Sequence, residues 1–170
     1  MDLSQHLEAL KRYFASLDDV VLAYLFGSHA RGQAGPLSDV DFAVLLAGRP
    51  NEDHCFDMRL ELIGGLMGLL HTNEVDVLIL NQASPALRYA VLRDGILIFC
   101  RDAQARIEFR VRTINEYLDL KPMLKRHGDA ILEKARKGEL LRGHDPYQGA
   151  LERYRQLREI FEETGHTDLR

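Results

Sequence analysis

The stretch Gly27-Ser28-His29-Ala30-Arg31-Gly32-Gln33-Ala34-Gly35-Pro36-Leu37-Ser38-Asp39-Val40-Asp41 decides how this chain is read. The residues before it, Val20-Val21-Leu22-Ala23-Tyr24-Leu25-Phe26, form a short apolar run closed by Gly27, the pattern of a buried strand ending in a tight turn. Ser28 then opens a short helix, so free backbone N–H groups and a hydroxyl converge where a phosphate can come close. A loop through Gly32, Gly35 and Pro36 leads to a second strand, Asp39 to Leu46. Asp39 and Asp41 stand two apart on it, so their carboxylates project from one face roughly 7 Å apart along the chain. That spacing suits one pair of metal ions.

Working outward, Leu3, Leu7, Leu10, Phe14 and Leu17 recur at helical spacing and predict an opening amphipathic helix packed on the core. Asn51 to Leu70 predicts a helix whose apolar stripe is Phe56, Leu60, Ile63 and Met67. Val75 to Leu80 predicts a third strand. Ser84 as N-cap and Pro85 at the first helical position open a helix to Arg93, and Asp94-Gly95 turns the chain into a last strand, Ile96 to Phe99. This alternation defines an α/β layout over residues 1–101. Beyond Asp102 the strand signals vanish. Ile107, Val111, Ile114 and Leu118 predict one helix, Leu124, Ile131 and Leu132 a second after Pro122, and Leu151, Tyr154, Leu157 and Phe161 a third. Residues 102–170 therefore read as a helical extension.

Composition narrows the function classes. The 170 residues carry 26 acidic and 22 basic side chains, a net charge of −4. Residues 1–100 hold 7 Lys+Arg against 13 Asp+Glu, and the remainder 15 against 13. Neither part has the basic excess with which duplex nucleic acid is gripped, so direct nucleic-acid binding is not expected. The apolar runs Leu62–Leu70 and Val75–Leu80 are far shorter than the roughly 18–20 residues of a membrane span, and the N-terminus lacks a basic-then-apolar signal. The expected setting is the cytoplasm, without membrane. The two cysteines, Cys55 and Cys100, fit reduced packing residues and have no zinc spacing.

Asp76 completes the constellation. It interrupts an otherwise apolar strand, where burying a carboxylate is costly unless a cation or hydrogen-bond donors meet it. If that strand pairs beside Asp39–Asp41, three carboxylates surround one spot, repelling one another until a divalent cation neutralises them. Two Mg²⁺ ions about 3.5–4 Å apart, bridged by carboxylates and phosphates, stabilise in-line displacement at phosphorus. One carboxylate can also accept the attacking hydroxyl's proton.

These residues resemble the minimal nucleotidyltransferase (MNT) branch of the DNA polymerase beta-like nucleotidyltransferase superfamily, over roughly residues 20–100. The resemblance implies a small mixed sheet flanked by helices in the nucleotidyltransferase fold, followed by the helical extension. It implies that Gly27 and Ser28 bind nucleotide phosphates, that Asp39 and Asp41 ligate both metals, and that Asp76 helps to ligate the catalytic one and activates the hydroxyl. Arg31 and Gly32 fill the Ala-Arg-Gly segment of the branch, and Ser38 precedes the first aspartate as it does there. Arg31 has two readings, a triphosphate contact or a salt bridge orienting Asp39 or Asp41. His29 is given no defined role, and Arg142 to Tyr147 reads as a polar loop between helices.

The same branch is similar to the antitoxin half of HEPN/MNT toxin–antitoxin pairs. What this implies is a Mg²⁺-dependent adenylyltransferase that moves AMP from ATP onto a tyrosine of a HEPN ribonuclease toxin, in a hetero-oligomer with it. Two alternatives stay open: nucleotidyl transfer to a small hydroxylated molecule such as an aminoglycoside, and neutralisation of the toxin by binding alone.

Overall fold

A computed structural model describes residues 3–35 and 38–138, with side chains from residue 5 onward. The chain divides into a compact unit, Met1–Lys121, and a second beginning at Pro122. In order, the described elements are a 3₁₀ turn (Leu3–His6) leading into α1 (Leu7–Ser16), β1 (Val20–Phe26), α2 (Gly27–Ala30), β2 (Val40–Leu46), α3 (Glu52–Leu70), β3 (Val75–Ile79), α4 (Pro85–Asp94), β4 (Ile96–Cys100) and α5 (Ala103–Arg136).

The four strands form one mixed sheet in the order β3-β2-β1-β4. β1 runs antiparallel to both β2 and β4, while β2 and β3 run parallel. The expected small mixed sheet with flanking helices is therefore what the chain builds. The central strands β1 and β2 are apolar on both sides because both sheet faces are covered. On one face Phe14 of α1 and Met58, Leu62 and Leu66 of α3 pack on Phe42, Val44 and Val77. On the other, Val91 of α4 and Phe109 of α5 pack on Leu22, Tyr24, Ala43 and Leu45.

Local chemistry sets the element ends. The Asn51 side chain accepts the His54 N–H at 2.8 Å to cap α3, and Ser84 accepts the Leu87 N–H at 3.3 Å to cap α4 ahead of Pro85. Asp102 accepts the N–H groups of Gln104 and Ala105 at the start of α5. Arg101 joins the far ends of the first unit: its guanidinium donates to the carbonyls of Ala15, Leu17 and Val20 and lies over the Phe99 ring. It thereby satisfies carbonyls that the end of α1 leaves open.

Three expectations about helices need correction. The buried side of α3 is Cys55, Met58, Leu62, Leu66 and Leu70, whereas Phe56 and Leu60, read as its core stripe, are exposed. On α5 the buried residues are Phe109 and Thr113, and Ile107, Val111 and Leu118 face outward. The two helices expected on either side of Pro122 are one helix through it. A proline there removes one backbone bond, and because Leu118 and Pro122 are both exposed, water can take the freed carbonyl. The third expected helix, around Leu151 to Phe161, and the loop Arg142 to Tyr147 lie outside the described residues. Cys55 is buried and Cys100 half-buried, both with free thiols.

Candidate active site

The site lies at one end of the sheet, and strand register builds it. Phe26, the last residue of β1, pairs with Asp41, and Asp41 pairs across the parallel ladder with Asp76. The Gly27 turn, Asp41 and Asp76 thus follow one another across three adjacent strands. Asp39 stands just ahead of β2 and is exposed, while Asp41 is half-buried.

Gly27 leaves β1 with φ +70, a left-handed conformation that glycine adopts without strain. A Cβ at that position would run into the Asp41 carboxylate, so only a glycine lets the turn lie against the acid. The four-residue α2 follows, and the Ser28 carbonyl accepts the Gln33 N–H at 2.9 Å. Gly32 also needs a left-handed φ, +66, but in open space. Ser38 closes the loop on itself: its hydroxyl accepts the Gly35 N–H at 2.9 Å and its own N–H donates to the Gly35 carbonyl at 3.2 Å. Of the two readings of Arg31, a salt bridge to Asp39 or Asp41 does not form, since the Nε contacts the Gln33 side-chain oxygen at 3.4 Å. Its charge still acts at a distance to draw the Asp41 pKa downward.

The carboxylates differ in electrostatic condition. Burial, then the neighbouring charges of Asp76 and Asp39, push the Asp41 pKa above its ordinary value, against smaller opposing effects of His29 and Arg31. Asp76 goes the other way. Its Oδ1 accepts from Arg59 at 2.8 Å and from the Val77 N–H at 2.8 Å, and the Arg59 hydrogen bond foremost holds its pKa below the usual value. The cost of placing Asp76 in an apolar strand is met in two ways: β3 is the sheet edge, leaving the side chain 55% exposed, and a protein cation and a backbone N–H reach its carboxylate.

Two residues that sequence reasoning passed over, Glu74 and Arg59, and one it left without a role, His29, belong to this place. Glu74 stands two positions before Asp76, the same alternation that singled out Asp39 and Asp41. Its carbonyl accepts the Val40 N–H at 2.8 Å, and the neighbouring Asp39 carboxyl pushes its carboxyl pKa upward. His29 Nε2 lies 3.4 Å from the Ser38 carbonyl, tying the Gly-Ser turn to the approach to Asp39. Arg59 gave no sequence signal, since only the fold brings α3 to β3.

Among the described residues, no group of three His, Cys, Asp or Glu side chains is arranged to hold a metal ion. The donor set nonetheless fits a hard divalent cation: every candidate ligand is a carboxylate, and Asp41 carries a charge that burial and two neighbouring acids leave undercompensated. No described helix is long and apolar enough to cross a membrane.

The family model for polymerase beta nucleotidyltransferases matches residues 8–104, more than half of the chain. No curated protein sequence matches. Among solved structures, a chain of a toxin–antitoxin complex crystallised with AMP-PNP is 27% identical, covering 78% of this chain and 99% of that one with a TM-score of 0.61. The complex of a tri-AMPylated Shewanella oneidensis HEPN toxin with its MNT antitoxin matches at 27% identity, covering 75% and 98%, with a TM-score of 0.57. The MntA–HepT toxin–antitoxin complex matches at 25% identity over 76% and 98%, with a TM-score of 0.59. With its fold, its glycine turn against Asp41 and this match in hand, the chain belongs to the polymerase beta nucleotidyltransferase family and resembles the MNT antitoxins within it.

Proposed function

We propose that this chain is the antitoxin of a HEPN/MNT-type pair and transfers AMP from ATP to a tyrosine hydroxyl of its toxin partner, in the cytoplasm and within a hetero-oligomer. The observation that carries the reading is the register row that sets the Gly27 turn, Asp41 and Asp76 side by side on β1, β2 and β3. Residues 1–101 form the catalytic domain and residues 102–170 a helical extension that contributes to acceptor choice. Gly27 and Ser28 present backbone N–H groups to the triphosphate, with Arg31, Gly32 and Ser38 lining its approach. Asp39, Asp41 and Asp76 hold two Mg²⁺ ions, which supply charge neutralisation at the phosphates when bound.

In the transfer the tyrosine oxygen bonds to the α-phosphorus of ATP, the bond from that phosphorus to the β-phosphate's bridging oxygen breaks, and pyrophosphate leaves. Asp76 accepts the hydroxyl proton. Asp39 and Asp41 fix the register of the phosphates relative to that hydroxyl, the positioning on which phosphoryl chemistry depends most. The similarity to chains from toxin–antitoxin complexes, one of them containing an AMPylated toxin, supports a protein acceptor over a small molecule.

The test is incubation of the protein with ATP labelled in its α-phosphate, Mg²⁺ and the toxin encoded beside it. Label is expected on the toxin with the unaltered chain and is lost with Asp39→Ala. Failure of the unaltered chain to label, or equal labelling by Asp39→Ala, overturns the enzymatic reading.

A further inference from the structure

We propose that Arg59 is a positioning residue of the carboxylate site: an internal counter-ion that holds one oxygen of Asp76 and competes with a divalent cation for that carboxylate. The inference rests on the reading of Asp39, Asp41 and Asp76 as cation ligands. Asp76 stands in register with Asp41, at the sheet end where all three aspartates collect. Yet no set of three ligating side chains is arranged for a metal ion among the described residues. Asp76 itself offers Oδ1 to the Arg59 guanidinium and the Val77 N–H, each at 2.8 Å.

The Arg59 backbone is fixed, because its neighbours on α3, Cys55, Met58 and Leu62, are buried in the core. Its side chain is 48% exposed, so the guanidinium can turn into solvent while the helix stays in place. A guanidinium on a ligand oxygen opposes a dication in two ways that share one sign. It occupies Oδ1, leaving only Oδ2 open to the cation and barring two-oxygen ligation, and its charge repels the cation at close range. It also offsets part of the acidic charge at this end of the sheet, which eases the crowding of the acids before any cation arrives. The site thereby trades cation affinity for stability of the empty state.

The experiment measures Mn²⁺ binding to the full chain by electron paramagnetic resonance, for the unaltered protein, Arg59→Gln and Arg59→Lys, with thermal melting of each with and without Mn²⁺. Arg59→Gln is expected to bind Mn²⁺ about fivefold more tightly, the factor to which a surface ion pair of ~1 kcal/mol corresponds. It is also expected to melt lower without Mn²⁺ and to gain more from it. Arg59→Lys, which keeps the charge, stays near the unaltered protein. Equal or weaker binding by Arg59→Gln, with the unaltered chain binding normally, overturns the role of Arg59 and leaves the ligand reading intact. No Mn²⁺ binding by any variant, or binding that survives Asp39→Ala/Asp41→Ala, overturns the ligand reading and the inference with it.

Discussion

Gly27→Ala is the sharpest single perturbation of the site, because the structure predicts two separable costs. The first is conformational. Gly27 has φ +70, and an alanine in the left-handed region costs about 1–2 kcal/mol. The second is steric: the new Cβ would lie 2.8 Å from Asp41 Cγ and closer still to a carboxylate oxygen. Backbone flanks the glycine, so Asp41 must rotate, at about 1 kcal/mol if it leaves its rotamer well. The sum, roughly 2–3 kcal/mol, lowers the Tm by about 6–10 °C in a chain of this size. Two other glycines serve as internal controls. Gly32 has φ +66 with nothing within 4 Å, so its alanine variant pays the conformational cost alone. Gly68, inside α3, also has nothing within 4 Å and no left-handed φ, so alanine there should stabilise by about 0.5–1 kcal/mol. Melting by circular dichroism should rank Gly68→Ala above the unaltered chain, then Gly32→Ala, then Gly27→Ala. Because Gly27→Ala displaces Asp41, AMP transfer should fall on the order of a hundredfold, as misplacements of about 1 Å do. If Gly27→Ala melts with Gly32→Ala and transfers AMP within twofold of the unaltered chain, the close approach of turn and carboxylate is not what organises the site.

Asp41 links function to pH. Its folded pKa is raised, so the folded state favours the protonated acid and the ionised one is a liability at neutral pH, which fades as pH falls through that raised value. Asp41→Asn should therefore be more stable than the unaltered chain at pH 7, lose that advantage in acid and lose transfer; lower stability at pH 7 in urea titrations would count against the assignment. Asp76 has the opposite sign: its pKa is lowered, so its contribution is present above the ordinary carboxylate value and is lost as pH falls through the lowered one. Arg101→Met, which gives up the bonds to Ala15, Leu17 and Val20, should cost about 2 kcal/mol by urea denaturation, and Arg101→Lys should recover little of it because a point charge lacks the guanidinium fork. A Lys variant as stable as the unaltered chain would refute that capping role. Gly65→Ala should destabilise by about 1–3 kcal/mol, since its Cβ would enter the Tyr13 ring; an unchanged Tm would place Tyr13 elsewhere.

The strands and capped helix starts were legible because each carries a local signal. Val20–Phe26 ends at a glycine, Asn51 and Ser84 stand where capping oxygens belong, and the observed bounds of β1, α3 and α4 fall within a residue or so of those expected. Helix faces were not legible. The second half of α3 is apolar almost all round, with Leu62, Ile63, Leu66, Met67, Leu69 and Leu70 in one turn after another, so spacing alone cannot say which side meets the sheet. The sheet chose Met58, Leu62 and Leu66. α5 misled for a different reason, because its buried contact is small, Phe109 and Thr113, while a longer apolar stripe faces outward. At the site, Gly27, Ser28, Asp39 and Asp41 were readable because chemistry and turn geometry coincide within fifteen residues of chain. Arg59 was not, since its partner Asp76 is 17 positions away and only the packing of α3 beside β3 joins them.

The most direct measurement is an intact mass spectrum of the toxin partner after exposure to this chain, ATP and Mg²⁺. The account predicts toxin heavier by whole AMP units, with the added mass localised to tyrosine and absent when Asp39→Ala/Asp41→Ala replaces the unaltered chain. A toxin of unchanged mass that is nonetheless neutralised would contradict it.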